Sequence, residues 1–284
     1  KGPNKAVKGN VKISGAKNSC LPLMAASILF KNKVILKNVP FVKDVITMKD
    51  LLVSLGSKVE FSESSKTITI TNKKKHKLVV PYKLVSTMRA GVLTMGSLLG
   101  RYQKERIKVA LGGGCALGVR DTSWHLAGFK SLGADNDLDK GYVNISSKKG
   151  LKGGKYTFPK VTVTGTSNLI MASVLGKGTH FIKNISIEPE VIDLIYFLNN
   201  SGANIKFLGK RSIKVKGVKE LINAKHTIIG DRIEAFSYLC VGAITNNKIK
   251  INNINPNHLR SEIGILRKIG YKIEENNNSI QLIS

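Results

Sequence analysis

The sequence predicts an α/β chain of the mixed α+β kind, assembled from repeated units of about 70 residues. Three observations predict it. A helical apolar pattern ending in glycine and followed by an alternating strand occurs four times. A second pattern, an alternating strand closed by Asn and an aliphatic residue, occurs three times at matching spacing. Finally, both helical and strand periodicity fall inside every unit, which excludes an all-helical solenoid.

The units follow in order. The first carries Leu51–Leu55, Gly56, then the strand pattern Lys58–Phe61. The second carries Leu126–Leu132, Gly133 and Ala134. The third carries Leu194–Ser201, Gly202 and Ala203–Leu208, and the fourth Leu266–Ile269, Gly270 and Tyr271–Glu274. The four glycines are 77, 69 and 68 residues apart. The second marker reads Val34–Val39 around Asn38, His180–Ile185 around Asn184, and Ile249–Ile254 around Asn253. Those asparagines are 146 and 69 residues apart, two periods and one.

Composition narrows the function classes. The chain has 284 residues, 42% hydrophobic and 23% charged, which suits a folded protein with a real core. The longest apolar run, Leu21 to Phe30, is about half of the ~20 residues a bilayer needs, so no membrane role is expected. No basic-then-apolar leader opens the chain, whose first residue is Lys1. Cys20, Cys115 and Cys240 do not make a disulfide framework, and a soluble, reducing compartment is expected.

The net charge of +28 suggests a nucleic acid or another anionic partner. Of the 46 basic residues, however, 38 are Lys and only 8 Arg, and Arg is the residue that reads guanine bidentately. The lysines are scattered, apart from the run Lys73–Lys74–Lys75 with Lys77, which reads as a solvated loop. Biased composition or an anionic small substrate explains the charge better than nucleic acid, and no nucleic-acid partner is expected.

Candidate chemistry lies at strand-to-helix junctions. In Ser14-Gly15-Ala16-Lys17-Asn18, Lys17 and Asn18 sit where a helix N-terminus offers free N–H groups to an anion; Asn18 or Ser19 as a plain cap is the alternative. Thr87-Met88-Arg89-Ala90 places an arginine fork at another helix start, or simply a surface Arg. Leu111-Gly112-Gly113-Gly114-Cys115 puts a thiol in a glycine loop, with Arg120 close enough in sequence to lower its pKa. That suits an acid, base or nucleophile; a bystander thiol is the alternative. Cys20 and Cys240 read as buried and inert. Lys160-Val161-Thr162-Val163-Thr164-Gly165-Thr166 offers hydroxyls and N–H groups to phosphate, or only an N-cap. Glu188, Glu190, Asp193, Asp231 and Glu234 stand at helix starts and can act as caps. The glycine run is no Walker loop, and no zinc-ligand spacing occurs.

Taken in order, Ser14–Asn18, Thr87–Ala90, Gly113–Arg120 with His125, Val161–Thr166, Glu188–Asp193 and Asp231–Glu234 resemble the bacterial enolpyruvyl transferases along essentially the whole chain, and specifically those acting on UDP-N-acetylglucosamine. The resemblance implies transfer of the enolpyruvyl group of phosphoenolpyruvate to the sugar 3-hydroxyl with release of phosphate. This is the first committed step of peptidoglycan synthesis, in the cytoplasm, without metal or cofactor, by a protein that is monomeric when complete. It implies that Lys17 and Arg120 hold the phosphoenolpyruvate phosphate and that Asn18 contacts the sugar. Arg89 and His125 join the substrate-binding set, and Lys160, Thr162 and Val163 hold the diphosphate. Cys115 becomes the catalytic loop acid and the target of fosfomycin. The implied fold is an inside-out α/β barrel in two lobes of three units, the first over residues 18–228 and the second over 1–17 plus 229–284. With four units present, two are expected beyond Ser284. The chain departs from the family pattern at Gly112, at Asp121-Thr122-Ser123-Trp124 and at Thr164. Other readings of the sequence are an inactive nucleotide-sugar-binding remnant of this fold and a Lys-rich nucleic-acid binder.

Overall fold

A computed structural model describes residues 9–86, 88–110, 122–222 and 224–283. The chain begins with β1 (Gly9–Lys12), α1 (Lys17–Ala26), a 3-10 turn at Ser27–Leu29, β2 (Val34–Lys37), α2 (Lys43–Leu55), β3 (Lys58–Ser62) and β4 (Thr67–Thr71). The second stretch holds β5 (Val79–Val80), α3 (Tyr82–Val85), a 3-10 turn at Arg89–Leu93, α4 (Thr94–Arg101), β6 (Ile107–Ala110), α5 (Ser123–Ser131), β7 (Asp135–Asp139) and β8 (Tyr142–Ser146). The third holds β9 (Gly154–Thr157), α6 (Val163–Ser173), β10 (Thr179–Lys183), α7 (Pro189–Asn200), β11 (Asn204–Gly209) and β12 (Ser212–Lys216). The last holds β13 (Lys225–Thr227), α8 (Arg232–Ile244), β14 (Ile249–Asn252), a 3-10 turn at Pro256–Leu259, α9 (Arg260–Ile269), β15 (Ile273–Asn276) and β16 (Ser279–Leu282).

The repeat is visible in the sheets. The described residues form four four-stranded sheets with one pattern: β13-β2-β4-β3, β5-β6-β8-β7, β9-β10-β12-β11 and β1-β14-β16-β15. In each, the second strand pairs parallel to the first and antiparallel to the third. Alternation buries one face: Val34 pairs with Ile70 and Leu36 with Ile68, all four buried. Both sequence markers are left-handed backbone positions. Gly56, Gly133, Gly202 and Gly270 have φ of 110, 97, 97 and 117°, which lets the chain leave each outer helix for a hairpin. Asn38, Asn184 and Asn253 have φ of 58, 54 and 64°. Their side-chain amides donate to the carbonyls of Ile228, Phe158 and Ile13 respectively. In the second unit the equivalent position after β6 is Leu111, which lies outside the described residues.

Helices α1, α4 and α6 are buried on every side among the outer sheets, the inside-out arrangement. Small residues allow the close approach of α4 and α6. A Cβ on Gly96 would lie 2.3 Å from the Asn168 carbonyl oxygen, and the Gly96 N–H donates to Asn168 Oδ1 at 2.8 Å. Successive contacts, Gly96 with Asn168 and Gly100 with Met171, show the two helices parallel. Buried hydroxyls bond back along their own helices, as Ser173 to Leu169 O and Ser97 to Thr94 O, so the polar atoms need no outside partner.

Two hydrophobic clusters result. The larger runs from Cys20 to Ile228 and the smaller joins Ile13 to residues of α8, α9 and their sheet. They are stitched by an exchange of edge strands: β1 precedes α1 yet pairs with β14, while β13 precedes α8 yet pairs with β2. The two crossing segments meet at an antiparallel bridge between Gly15 and Gly230. A Cβ at either would fall within 1.7 Å of Asn38 O or 1.9 Å of Asn253 O, so only glycine fits where the chains cross.

Candidate functional site

The N-terminal end of the central helices gathers several of the residues singled out by sequence. Lys17 opens α1, Arg89 opens the turn into α4, and Thr162 and Val163 open α6. The turn Arg89–Leu93 packs against both α1 and α6, and Asn168 Nδ2 donates to Val92 O at 3.1 Å. Cys115 and Arg120 lie outside the described residues.

Lys17 is half-exposed and its Nζ contacts Asp44 Oδ2 at 2.8 Å. Its backbone N–H donates to Asp231 Oδ2 at 3.2 Å. Neither Asn18 nor Ser19 caps α1, contrary to the simple helix-start reading. Ser19 Oγ donates to Asp193, which also accepts from His226 Nε2 at 2.8 Å. The carboxylate of Asp231 takes the place of a local cap, and Asn18 is left exposed. The segment is braced further by Glu234 Oε2, which accepts from Ser14 N at 2.9 Å.

Arg89 is half-buried, and its Nη1 is buried with no hydrogen-bond partner among the described residues. A buried guanidinium nitrogen left unpaired is costly. Thr162 Oγ1 accepts from Gly165 N at 3.2 Å and so caps α6, the plainer of its two readings; Lys160 and Val163 are exposed. His125 is 3% exposed. Asn168 Nδ2 donates to its Nδ1 at 2.9 Å and Thr164 Oγ1 lies 3.4 Å from its Nε2, which ties the start of α5 to α6.

The acids at helix starts divide. Asp231 caps α8 by accepting from Ile233 N and Glu234 N. Glu188 and Glu190 make no cap and instead pair with Arg232, Nη2 to Glu188 at 2.9 Å and Nε to Glu190 at 3.0 Å. These carboxylates offset the burial cost of the guanidinium and raise its pKa. Cys20 is buried, and burial pushes its thiol pKa up, so it is inert as expected; Cys240 is only half-buried, a correction to the expectation for that residue. Sequence reasoning missed Asp44 and His226 as partners of this region, since each is an ordinary residue in its local pattern; it singled out Asp193, but as a cap rather than as the acceptor for Ser19 and His226.

The profile of the family described as EPSP synthase (3-phosphoshikimate 1-carboxyvinyltransferase) matches residues 2–284. The chain belongs to the EPSP synthase family. Among curated family members, the chain is 44% identical over 274 residues to a UDP-N-acetylglucosamine 1-carboxyvinyltransferase of Pelagibacter ubique (strain HTCC1062), covering 96% of this chain. It is 43% identical over 278 residues to the protein of that name from Helicobacter pylori (strain Shi470), covering 97% of this chain. It spans 65% of the length of each of these relatives. The family fold is seen in solved structures as well. The enolpyruvyl transferase NikO from Streptomyces tendae superposes with a TM-score of 0.84 at 16% identity, over 99% of this chain and 66% of that one. The EPSP synthase from Acinetobacter baumannii superposes with a TM-score of 0.74 at 18% identity, over 99% of this chain and 65% of that one. No helix among the described residues is long and apolar enough to cross a membrane.

Proposed function

We propose that this chain belongs to a UDP-N-acetylglucosamine 1-carboxyvinyltransferase, which moves the enolpyruvyl group of phosphoenolpyruvate to the 3-hydroxyl of UDP-N-acetylglucosamine and releases phosphate. The observation that carries the reading is identity above 40% to proteins of that name along almost the whole chain. The orphan Nη1 of Arg89 and the exposed Asn18 beside Lys17 support an anion and a sugar at the helix starts. In this reading Lys17 and Arg120 bind the phosphoenolpyruvate phosphate, and Arg89 completes the anion-binding set. Asn18 contacts the sugar, Lys160, Thr162 and Val163 hold the diphosphate, and Cys115 is the acid. His125, expected in the substrate-binding set, is buried, and in this reading it acts by fixing the start of α5 against α6. The two hydrophobic cores support lobes over 18–228 and over 1–17 plus 229–284. The reaction places the protein in the cytoplasm, at the entry to cell-wall synthesis.

Calorimetric binding of UDP-N-acetylglucosamine, set against shikimate 3-phosphate, tests the reading. The expected result is binding of the sugar nucleotide alone, weakened roughly tenfold or more by Asn18→Ala or Arg89→Gln through loss of direct contacts. Phosphate release from phosphoenolpyruvate should require the sugar nucleotide and disappear in Cys115→Ala. Preference for shikimate 3-phosphate, or binding indifferent to both substitutions, overturns it.

A further inference from the structure

The central helices have a second converging end. Leu29, Gly100 and Leu175 close α1, α4 and α6 and line a cleft of about 500 Å³, within the range of small-molecule sites. It lies about 18 Å of helical rise from Lys17, at the far ends of the helices that start with the candidate site.

The floor is built from polar side chains with fixed positions. Asn72 Nδ2 donates to Ser27 O and Phe30 O at 2.7 and 2.8 Å. Arg101 Nη1 donates to Ile28 O and Phe30 O at 2.7 and 2.6 Å, and its Nη2 reaches Lys73 O at 3.3 Å. Gln103 bridges the ends of α4 and α6, donating to Gly100 O and Leu175 O and accepting from Leu151 N. Helix C-termini carry exposed carbonyls and negative potential, and these donors satisfy them. The cleft therefore does not need its remaining cations for structure.

Those cations line it: Lys31, Lys73, Lys74 and Lys219, against the single acid Glu220. Glu220 pairs with Lys31 at 3.3 Å, and Lys75 next in the run pairs outside the cleft with Glu105. Lys73, Lys74 and Lys219 have no ion-pair partner among the described residues. The lysine run read from sequence as a solvated loop is exposed, as expected, but two of its members form one wall of a cavity. Three ammonium groups without an ion-pair partner among the described residues, along a partly open cleft, suit an anion that spreads several charges over neighbouring atoms. A single carboxylate cannot satisfy them, and a bounded cleft of this size does not follow a nucleic-acid strand.

We propose that this cleft is a second anion site, for a small ligand carrying linked phosphates, free oligophosphate or a nucleoside triphosphate. Leu175, only partly buried, gives a nucleoside a narrow apolar wall to lie against, whereas Leu29 and Tyr102, at 3% and 9% exposure, present little surface.

The test is calorimetric titration of the chain with tripolyphosphate and, separately, ATP, at low and moderate salt. Three variants are compared with the parent: Lys73→Ser with Lys74→Ser, Lys148→Ser with Lys149→Ser as an equally exposed pair elsewhere, and Arg89→Gln at the candidate site. All replace side chains without a structural bond among the described residues, and circular dichroism checks that they fold. The expected result is that the Lys73/Lys74 variant loses roughly tenfold or more in affinity for both probes, the loss of two charge-assisted contacts, while the Lys148/Lys149 variant changes little and Arg89→Gln affects only what binds at the helix starts. If ATP also binds more tightly than tripolyphosphate, the nucleoside is read by the apolar wall; equal binding assigns the site to the phosphate chain alone. Equal losses in both lysine pairs would mean only the general positive field, and loss confined to Arg89→Gln would place the anion at the helix starts. Either result, or no binding, overturns the proposal, as does a short oligonucleotide outcompeting both probes.

Discussion

His180 is fully buried in β10, and neither ring nitrogen has a hydrogen-bond partner among the described residues. Burial pushes its pKa down to about 4. His76 is held down to about 4 as well, by burial first and the Arg101 charge second, but its ring bonds Tyr102 Oη at 2.7 Å and Ser57 Oγ at 3.1 Å. Both rings are neutral when folded, whereas an unfolded histidine titrates near 6.5, so the unfolded chain binds more protons below that pH. Stability from these two rings is full above about pH 6.5 and is lost as pH falls toward about 4. Urea midpoints measured across that window should fall with pH, and His180→Leu should remove part of the fall, the rest coming from His76 and from His258, which burial also lowers. At pH 7 the same substitution should be neutral or stabilising, because it removes two unpaired buried nitrogens, while His76→Leu should cost about 1 kcal/mol through its lost ring bonds, since Ser57 Oγ still donates to Asn72 Oδ1 and Tyr102 Oη still accepts from the backbone N–H of residue 76. An unchanged acid slope in His180→Leu would refute this. The same scale sets how much of the candidate site the sequence displays. Lys17, Arg89 and Thr162 are legible because a charged or hydroxyl residue ahead of an apolar helix is a local pattern. The contacts of Asp44 and Asp231 with Lys17 are not, since they span 27 and 214 residues. The cap expected of Asn18 or Ser19 failed for that reason: a distant carboxylate reaches the helix end first.

At the scale of elements, legibility follows backbone strain. Gly56, Gly133, Gly202, Gly270 and the three asparagines mark the repeat because left-handed positions restrict residue choice, and the restriction recurs wherever the unit recurs. The exchange of β1 and β13 leaves no such trace, because an edge strand has the same local pattern whichever sheet it joins. Helix contacts sit between these cases, since a buried glycine shows in sequence but its neighbour does not. Gly96 and Gly264 illustrate the difference. Both are helical glycines, yet a Cβ on Gly96 would meet Asn168 O at 2.3 Å and Oδ1 at 2.7 Å, whereas one on Gly264 would meet nothing within 4 Å. Gly96→Ala should therefore force α4 from α6 and cost about 2–4 kcal/mol, more than overpacking alone because the Gly96–Asn168 bond is strained too. Gly264→Ala should gain up to about 1 kcal/mol from helix propensity. Chemical denaturation of the two variants checks both signs. Gly96→Ala should also weaken ligand binding at the helix starts, since Asn168 holds both Val92 and His125.

At the scale of the molecule, the four equivalent sheets do not leave their helices equally covered. Three units enclose α1, α4 and α6 on every side, whereas α8 comes from the one unit that, with β1, builds the smaller core. Its sequence is apolar around much of its circumference, but only Ala235, Leu239, Gly242 and Ala243 are buried. Ile233, Val241 and Ile244 remain exposed, Ile244 at 85%, and Ile265 and Ile269 on α9 are exposed too. A helix of this composition is ordinarily covered on both sides, so the chain should associate with itself through this face. Its charge of +28 opposes that association by repulsion, which salt screens, while burial of apolar surface is not weakened by salt. Sedimentation at rising protein concentration should therefore show association that strengthens between about 0.05 and 0.5 M salt, the reverse of an interaction built on ion pairs. Val241→Lys combined with Ile244→Lys, one turn apart, should restore the monomer with little change in unfolding midpoint, because neither side chain is buried. Association that weakens with salt, or that survives the double substitution, would place the contact elsewhere; a monomer at all salts would mean that charge repulsion outweighs the apolar face even when screened.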